Sequence, residues 1–154
     1  MALVELLLTP LPAHVRTARL VGVAAARRAG LDDELIDELR LALGEACSRA
    51  VGLHARHAPD EPVKVTISDD PGGLVVTVVD LGPAAGPAPE DLTEGLLDED
   101  GADDELVDPD VALAVLTGLV DGVEITPSSA GTTVTMRWPL PVGAAPGATA
   151  VSRT

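Results

Sequence analysis

Two oppositely charged side chains, Glu45 and Arg49, lie four residues apart in a segment with helical periodicity. Side chains at this spacing share one face of a helix, so the carboxylate could act as a general base or pair with the arginine. An exposed ion pair of this kind contributes only ~0.3–0.5 kcal/mol. From spacing alone, a solvated or ion-paired carboxylate is favoured over a catalytic one.

A second candidate, Asp80, ends an apolar stretch and is followed by Gly82 and Pro83. Its carboxylate could accept a hydrogen bond from a ligand. It could equally do no more than end a strand at a Gly-Pro turn. Both interpretations of Asp80 stay open at this point.

An acidic segment, residues 90–110, holds 11 of the 25 acidic residues and no Lys or Arg. It carries −11, whereas the other 133 residues carry only −4. Its last two acids, Asp108 and Asp110, precede an apolar helical stretch, where carboxylates complement the helix dipole. The segment either attracts a basic protein partner or is a disordered, solvated loop.

The elements that position these residues follow from hydrophobic periodicity and turn chemistry. Gly30 is the expected C-cap of the first helix and Asp32 the N-cap of the second. Strands are predicted over 4–9, 63–68, 74–79, 123–126 and 132–138, and helices over about 12–28, 33–57 and 111–119.

This order predicts the α+β class: a two-layer α/β sandwich whose mixed sheet is covered on one face by helices. Residues 1–139 are expected to form one domain with a lid-like acidic insert at 83–110. Residues 140–154 are expected to form a flexible C-terminal tail.

Composition narrows the function. A net charge of −15 argues against nucleic acid and anionic membranes as partners. Cys47 is the only cysteine, so no intrachain disulfide can form, and we expect it to be a small buried residue. No signal peptide or membrane span is evident, which predicts a soluble cytoplasmic protein. His14, His54 and His57 do not form a metal-binding set, and His54 and His57 are expected at the surface near a helix end.

The order of motifs carries a resemblance. A predicted helix contains Leu41-Ala42-Leu43-Gly44-Glu45-Ala46-Cys47, and the hairpin after it ends in Val79-Asp80-Leu81-Gly82. An insert and a further helix follow. The last strands contain Val120-Asp121-Gly122-Val123-Glu124 and Gly131-Thr132-Thr133-Val134. Over residues 3–139 the chain resembles the histidine-kinase-like (GHKL) ATPase fold of histidine kinases and gyrase. Within that group it looks most like the serine kinases that act as anti-sigma factors.

The resemblance implies a role for each candidate residue. Glu45 matches the catalytic base, Asp80 the aspartate that accepts the adenine amino group, and Gly82 a glycine beneath the base. Arg49 stands where relatives have the asparagine that binds magnesium, and arginine has no acceptor atom for a metal. Asp108 and Asp110 stand where relatives have phosphate-loop glycines, and their carboxylates would repel phosphate.

Three functions stay open. The favoured one is a regulator with weak or absent ATP turnover that binds a sigma factor or an anti-sigma antagonist. The alternative is an active ATP-dependent serine kinase in which Arg49 contacts phosphate directly. A third possibility is a module that binds adenine or adenosine without phosphate. ATP and magnesium are implied by the resemblance alone, so no cofactor or metal is assigned, and a homodimer is possible.

Overall fold

The structure, a computed structural model, describes residues 2–82 and 109–141. The acidic insert and the C-terminal tail thus lie almost entirely outside the described residues. The elements in chain order are β1 (Ala2–Leu8), α1 (Ala13–Ala29), α2 (Asp33–His57), β2 (Val63–Asp70), β3 (Gly73–Asp80), α3 (Pro109–Leu119), β4 (Gly122–Ser128) and β5 (Gly131–Trp138).

The five strands form one sheet in the order β1-β2-β3-β5-β4. Every pairing among them is antiparallel, so the predicted α+β sandwich is confirmed but the expectation of a mixed sheet is wrong. The reason lies in the connections. The two hairpins are antiparallel by construction, and the long crossovers join β1 to β2 and β3 to β4, neither of which creates a parallel neighbour.

One face of the sheet forms the core with the helices. Alternate residues of the inner strands are buried on this face, whereas Lys64 on β2 is exposed on the other. Helices α1 and α2 pack closely at Gly22, where an added Cβ would collide with the Leu43 side chain. The buried strand positions on the helical side are Val63, Val65, Ile67, Leu74, Val76, Val78, Asp80, Thr132, Val134, Met136 and Trp138.

Each element end lies within two residues of its predicted position, and two details differ from the predictions. Gly30 adopts the left-handed conformation at the end of α1, as expected, but the Asp32 side chain makes no capping hydrogen bond to α2. Strand β4 continues through Pro127, which the sequence suggested would begin a turn. Strand β4 lies at an edge of the sheet, where a proline costs no ladder hydrogen bond.

The only Phe, Tyr or Trp residue of the sequence, Trp138, is buried at the end of β5. Trp138 is 1% exposed, and its indole Nε1–H donates to Glu38 Oε2 at 2.8 Å. This bond joins the last residue of β5 to the second turn of α2. In the part of the chain described here, no helix combines the length and apolar character needed to cross a membrane.

Candidate functional site

The centre of the candidate site is a buried ion pair between α2 and the end of β3. Arg49 Nη1 donates to Asp80 Oδ2 at 2.6 Å, and both side chains are 1% exposed. Asp80 faces the helices because it alternates in phase with Val76 and Val78 along β3. The sequence suggested that Arg49 pairs with Glu45 on its own helix, but within the described residues its ionic partner is Asp80.

Both oxygens of the Asp80 carboxylate are engaged. Oδ2 accepts from Arg49, and Oδ1 accepts from the backbone N–H of Gly82 at 3.0 Å. Gly82 in turn lies against α2, where an added Cβ would be 2.8 Å from the Cβ of Leu53. The charge of Asp80 is thus compensated by Arg49, and its other oxygen caps the turn that follows β3. Neither oxygen is exposed to an incoming ligand.

The middle residue of this turn, Leu81, is held by a buried histidine. His54 Nε2 accepts from the Leu81 N–H at 2.8 Å, and His54 Nδ1 lies 2.8 Å from the Glu61 carbonyl oxygen. Because one partner is a donor and the other an acceptor, the proton lies on Nδ1. The expectation that His54 lies at the surface is therefore wrong, whereas His57 is exposed.

Consequently, each residue of Asp80-Leu81-Gly82 is contacted by one residue of α2: Arg49, His54 and Leu53 respectively. The sequence pattern contained a signal for His54. It lies four residues after Ala50 and seven after Cys47, both buried, so helical spacing places it on the inner face. Its imidazole polarity obscured that signal.

Thr132 is a further residue of this site whose role the sequence did not indicate. It is the direct cross-strand partner of Asp80 in the β3–β5 ladder and is 1% exposed. In the described part of the chain, Thr132 Oγ1 and Arg49 Nε are the buried side-chain polar atoms without a hydrogen-bond partner. Strand register could have located Thr132, since it alternates with the inward-facing Val134 and Met136.

Within the described residues, Glu45 is not hydrogen-bonded to this cluster. Glu45 is half-buried one turn before Arg49 on α2. Asp110 is the second residue of α3, in the first turn where a helix end receives anions. Asp108 lies outside the described residues, so its predicted position is not tested.

Cys47, two residues before Arg49, is buried in the core as expected. Burial raises the pKa of the Cys47 thiol to about 12, and the nearby positive charge of Arg19 opposes this only in part. A thiol with this pKa stays protonated near neutrality and is a poor nucleophile and metal ligand. Within the described ranges, no group of three His, Cys, Asp or Glu side chains could hold a metal ion.

The residues present do not fit magnesium-bound nucleotide. Arg49 has no acceptor atom, and its cationic guanidinium fills the position where a metal-binding asparagine is expected. The carboxylate expected to receive adenine is committed to that guanidinium and is 1% exposed. Admitting the adenine amino group would require breaking a buried ion pair, which leaves an uncompensated charge.

Comparisons with known proteins agree on the architecture. Residues 8–138 match the family model described as the histidine kinase-like ATPase domain. The chain is also similar to a crystal structure of the RsbU and RsbW domains of a Mycobacterium tuberculosis protein, with 19% identity and a TM-score of 0.64. That similarity covers 89% of this chain and 32% of the other, so the chain spans about a third of the neighbour's length. No curated protein matches the chain.

Proposed function

We propose that this chain, which belongs to the histidine kinase-like ATPase domain family, is a cytoplasmic regulator of the anti-sigma type that binds a protein partner with weak or absent ATP turnover. The partner would be a sigma factor or an anti-sigma antagonist. The structural neighbour that contains an RsbW domain supports the fold on which this proposal is based.

One observation carries the proposal, namely the buried ion pair between Arg49 and Asp80. A nucleotide site would need these two positions for separate tasks, the first for binding the metal and the second for binding adenine. An active ATPase requires a free carboxylate for adenine and an oxygen ligand for the metal. Here the carboxylate, Asp80, is neutralised by Arg49, which stands in the position of the metal ligand. The contacts of Leu53 and His54 with Gly82 and Leu81 support the same conclusion, because they fix the turn in this closed arrangement.

The alternative is an active serine kinase in which Arg49 contacts phosphate and Glu45 acts as base. Half-burial of Glu45 on α2 is compatible with a base that reaches a substrate hydroxyl. For this alternative, Arg49 would have to exchange Asp80 for phosphate. A third candidate, binding of adenosine without phosphate, is supported only by the unpartnered Thr132 hydroxyl beside Asp80.

Calorimetry with ATP, with and without magnesium, tests the proposal on wild type, Arg49→Asn and Arg56→Asn. Arg56 is a matched control because it is an exposed arginine on the same helix. We expect no magnesium-dependent binding by wild type or Arg56→Asn, and measurable binding by Arg49→Asn, in which an amide oxygen replaces the cation. Tight magnesium-dependent ATP binding by wild type would overturn the proposal.

Two further measurements separate the alternatives. Transfer of labelled phosphate from ATP to a co-encoded protein would establish the kinase. A rise in melting temperature with adenosine but not with ATP would establish the ligand sensor. The proposal itself predicts nucleotide-independent binding of a co-encoded sigma factor or antagonist, unchanged when ATP is removed.

A further inference from the structure

A basic groove lies on the outer side of the two long helices, away from the Arg49–Asp80 pair. It is a cavity of about 250 Å³ formed mainly by one face of α1. Four of the ten basic residues of the chain line it, together with three apolar residues, and we name it the arginine groove: Arg16, Arg19, Leu20, Val23, Ala24, Arg27 and Arg40.

The spacing of these residues gives the groove its shape. The α1 members recur every three or four residues from Arg16 to Arg27, so they form one continuous stripe. Eleven residues at 1.5 Å per residue make the stripe ~16 Å long, about three helical turns. Arg40 of α2 closes one side, and Arg19 lies against Gly44, where an added Cβ would be 3.0 Å from Arg19 Nη1.

Three of the four arginines of the groove have no ionic partner among the residues that the structure describes. Within the described residues, Arg16, Arg19 and Arg27 form no ion pair, and Arg40 pairs only with the exposed Asp37 at 2.9 Å. Among the described residues, none of those that line the groove is acidic. Four guanidinium groups in one groove repel one another, so an anionic occupant is stabilising.

Three apolar residues also line the groove. Leu20 is 66% exposed, and Val23 and Ala24 follow it on the same face of α1. An exposed leucine between cationic side chains suits a partner that brings an apolar side chain flanked by carboxylates. A nucleic acid would use the charges but not the leucine, and the net charge of −15 opposes a long polyanion.

We infer that the arginine groove is a docking site for an acidic amphipathic helix of a partner protein, with carboxylates one turn apart on both sides of an apolar side chain. This inference rests on the proposed function, because it supplies the surface by which the regulator would hold its partner. Each arginine can bind a carboxylate bidentately, which gives register as well as affinity.

Peptide display tests this inference without nucleotide. A random library of about 15 residues, long enough for the ~16 Å stripe, is selected on wild type. Selected peptides are then titrated against Arg16→Glu/Arg27→Glu. The matched control is Arg28→Glu, which reverses the charge of an exposed α1 arginine outside the groove.

We expect enriched peptides with Asp or Glu at i, i+3 or i+4 spacing around a Leu or Ile. Loss of two contacts and their replacement by repulsion should weaken binding roughly tenfold or more in the double variant, with little change in Arg28→Glu. If charge reversal unfolds the protein, Arg16→Gln/Arg27→Gln removes the charges with less disturbance and should weaken binding in the same direction.

Several outcomes would overturn the inference. Neutral or basic selected peptides, or equal binding by the double variant, would exclude an acidic helix. Displacement of the peptides by single-stranded DNA at comparable affinity would identify a nucleic-acid site. A dimer that dissociates in the double variant would make a second copy the occupant.

The test of the proposed function is separate. ATP binding by wild type would refute the proposed function while leaving this peptide-binding assay unaffected.

Discussion

At the scale of single residues, Arg49 decides how the site is understood. Its position four residues after Glu45 indicated an exposed helical ion pair of small energetic value. In the fold it is instead buried and pairs with Asp80 across 31 residues of chain. Removing the Arg49 side chain would therefore destabilise the fold strongly. A buried carboxylate without its cation costs far more free energy of unfolding than the loss of an exposed ion pair.

A double-mutant cycle measures this directly. Arg49→Leu leaves Asp80 buried without its cation, and we expect a loss of ~3–5 kcal/mol in the free energy of unfolding. Arg49→Leu/Asp80→Leu removes both charges and should recover most of that loss. Urea denaturation of the two single variants and the double variant provides the values. A double variant as unstable as the sum of the single variants would contradict a coupled pair.

Cys47 gives the second prediction at this scale, and it concerns pH. Its folded pKa of about 12 exceeds the ordinary thiol pKa of 9.0, so the folded protein holds the thiol proton where the unfolded chain releases it. Stability from this group is complete below pH 9 and is lost as the pH rises toward 12. The slope of the free energy of unfolding approaches ~1.4 kcal/mol per pH unit.

Cys47→Ala isolates this effect, because other groups that titrate at high pH are common to both proteins. The free energy of unfolding of wild type should fall more steeply with pH than that of the variant above pH 9. In addition, folded wild type should resist alkylation at about pH 8 and react only on unfolding. Parallel pH profiles would show that burial does not hold the proton on Cys47.

At the scale of elements, α2 organises both the core and the site. Its inner face carries the apolar stripe that packs on the sheet, and the same face ends in Arg49, Leu53 and His54, which hold the β3 exit. On the opposite side of that exit lies the start of β5. Gly131 has φ +145°, and an added Cβ would overlap the carbonyl oxygen of Asp80.

Gly131→Ala is therefore expected to destabilise the protein by about 2–4 kcal/mol, through backbone strain and displacement of Asp80. Gly118→Ala is the matched control, since Gly118 is an exposed position of α3 where no described atom outside the helix backbone lies within 4 Å of an added Cβ. It should stabilise by ~0.5–1 kcal/mol. Thermal unfolding of both variants tests the contrast, and equal effects would refute the role of Gly131.

At the scale of the whole molecule, charge is distributed very unevenly. Of the net −15, −11 lies in residues 90–110, whereas four of the nine arginines line one groove on α1 and α2. Like charges repel in the folded state more than in the expanded chain. Salt screens this repulsion between exposed charges, whereas it screens the buried Arg49–Asp80 pair much less.

Salt should therefore stabilise this protein. Between ~0.1 M and ~1 M NaCl the Debye length falls from ~10 Å to ~3 Å, and we expect stability to rise by about 1 kcal/mol. The fluorescence of Trp138, 1% exposed when folded, reports the unfolding transition. Neutralising the ten acids between residues 83 and 108 as Asn or Gln should abolish most of the gain. Equal salt effects in both proteins would place the repulsion elsewhere.

The sequence by itself determined the elements and the family resemblance, because periodicity, caps and turn residues are local properties. It also located Glu45, Arg49, Asp80 and Gly82 on their elements. It misjudged Pro127, whose tolerance depends on an edge position, and His54, whose polarity outweighed its helical phase. The helical phase of His54 was present in the sequence, but the contacts that make its burial and the edge position of Pro127 acceptable involve neighbours distant along the chain.

Only the tertiary structure decided which charges meet. Arg49 could pair within its helix or across to β3, and the choice depends on the packing of α2 against the sheet and on the phase of Asp80. The arginine groove likewise arises from residues of two helices that meet at Gly22 and Leu43. Local pattern specifies which face of an element a residue occupies, whereas the partner across that face is set by packing.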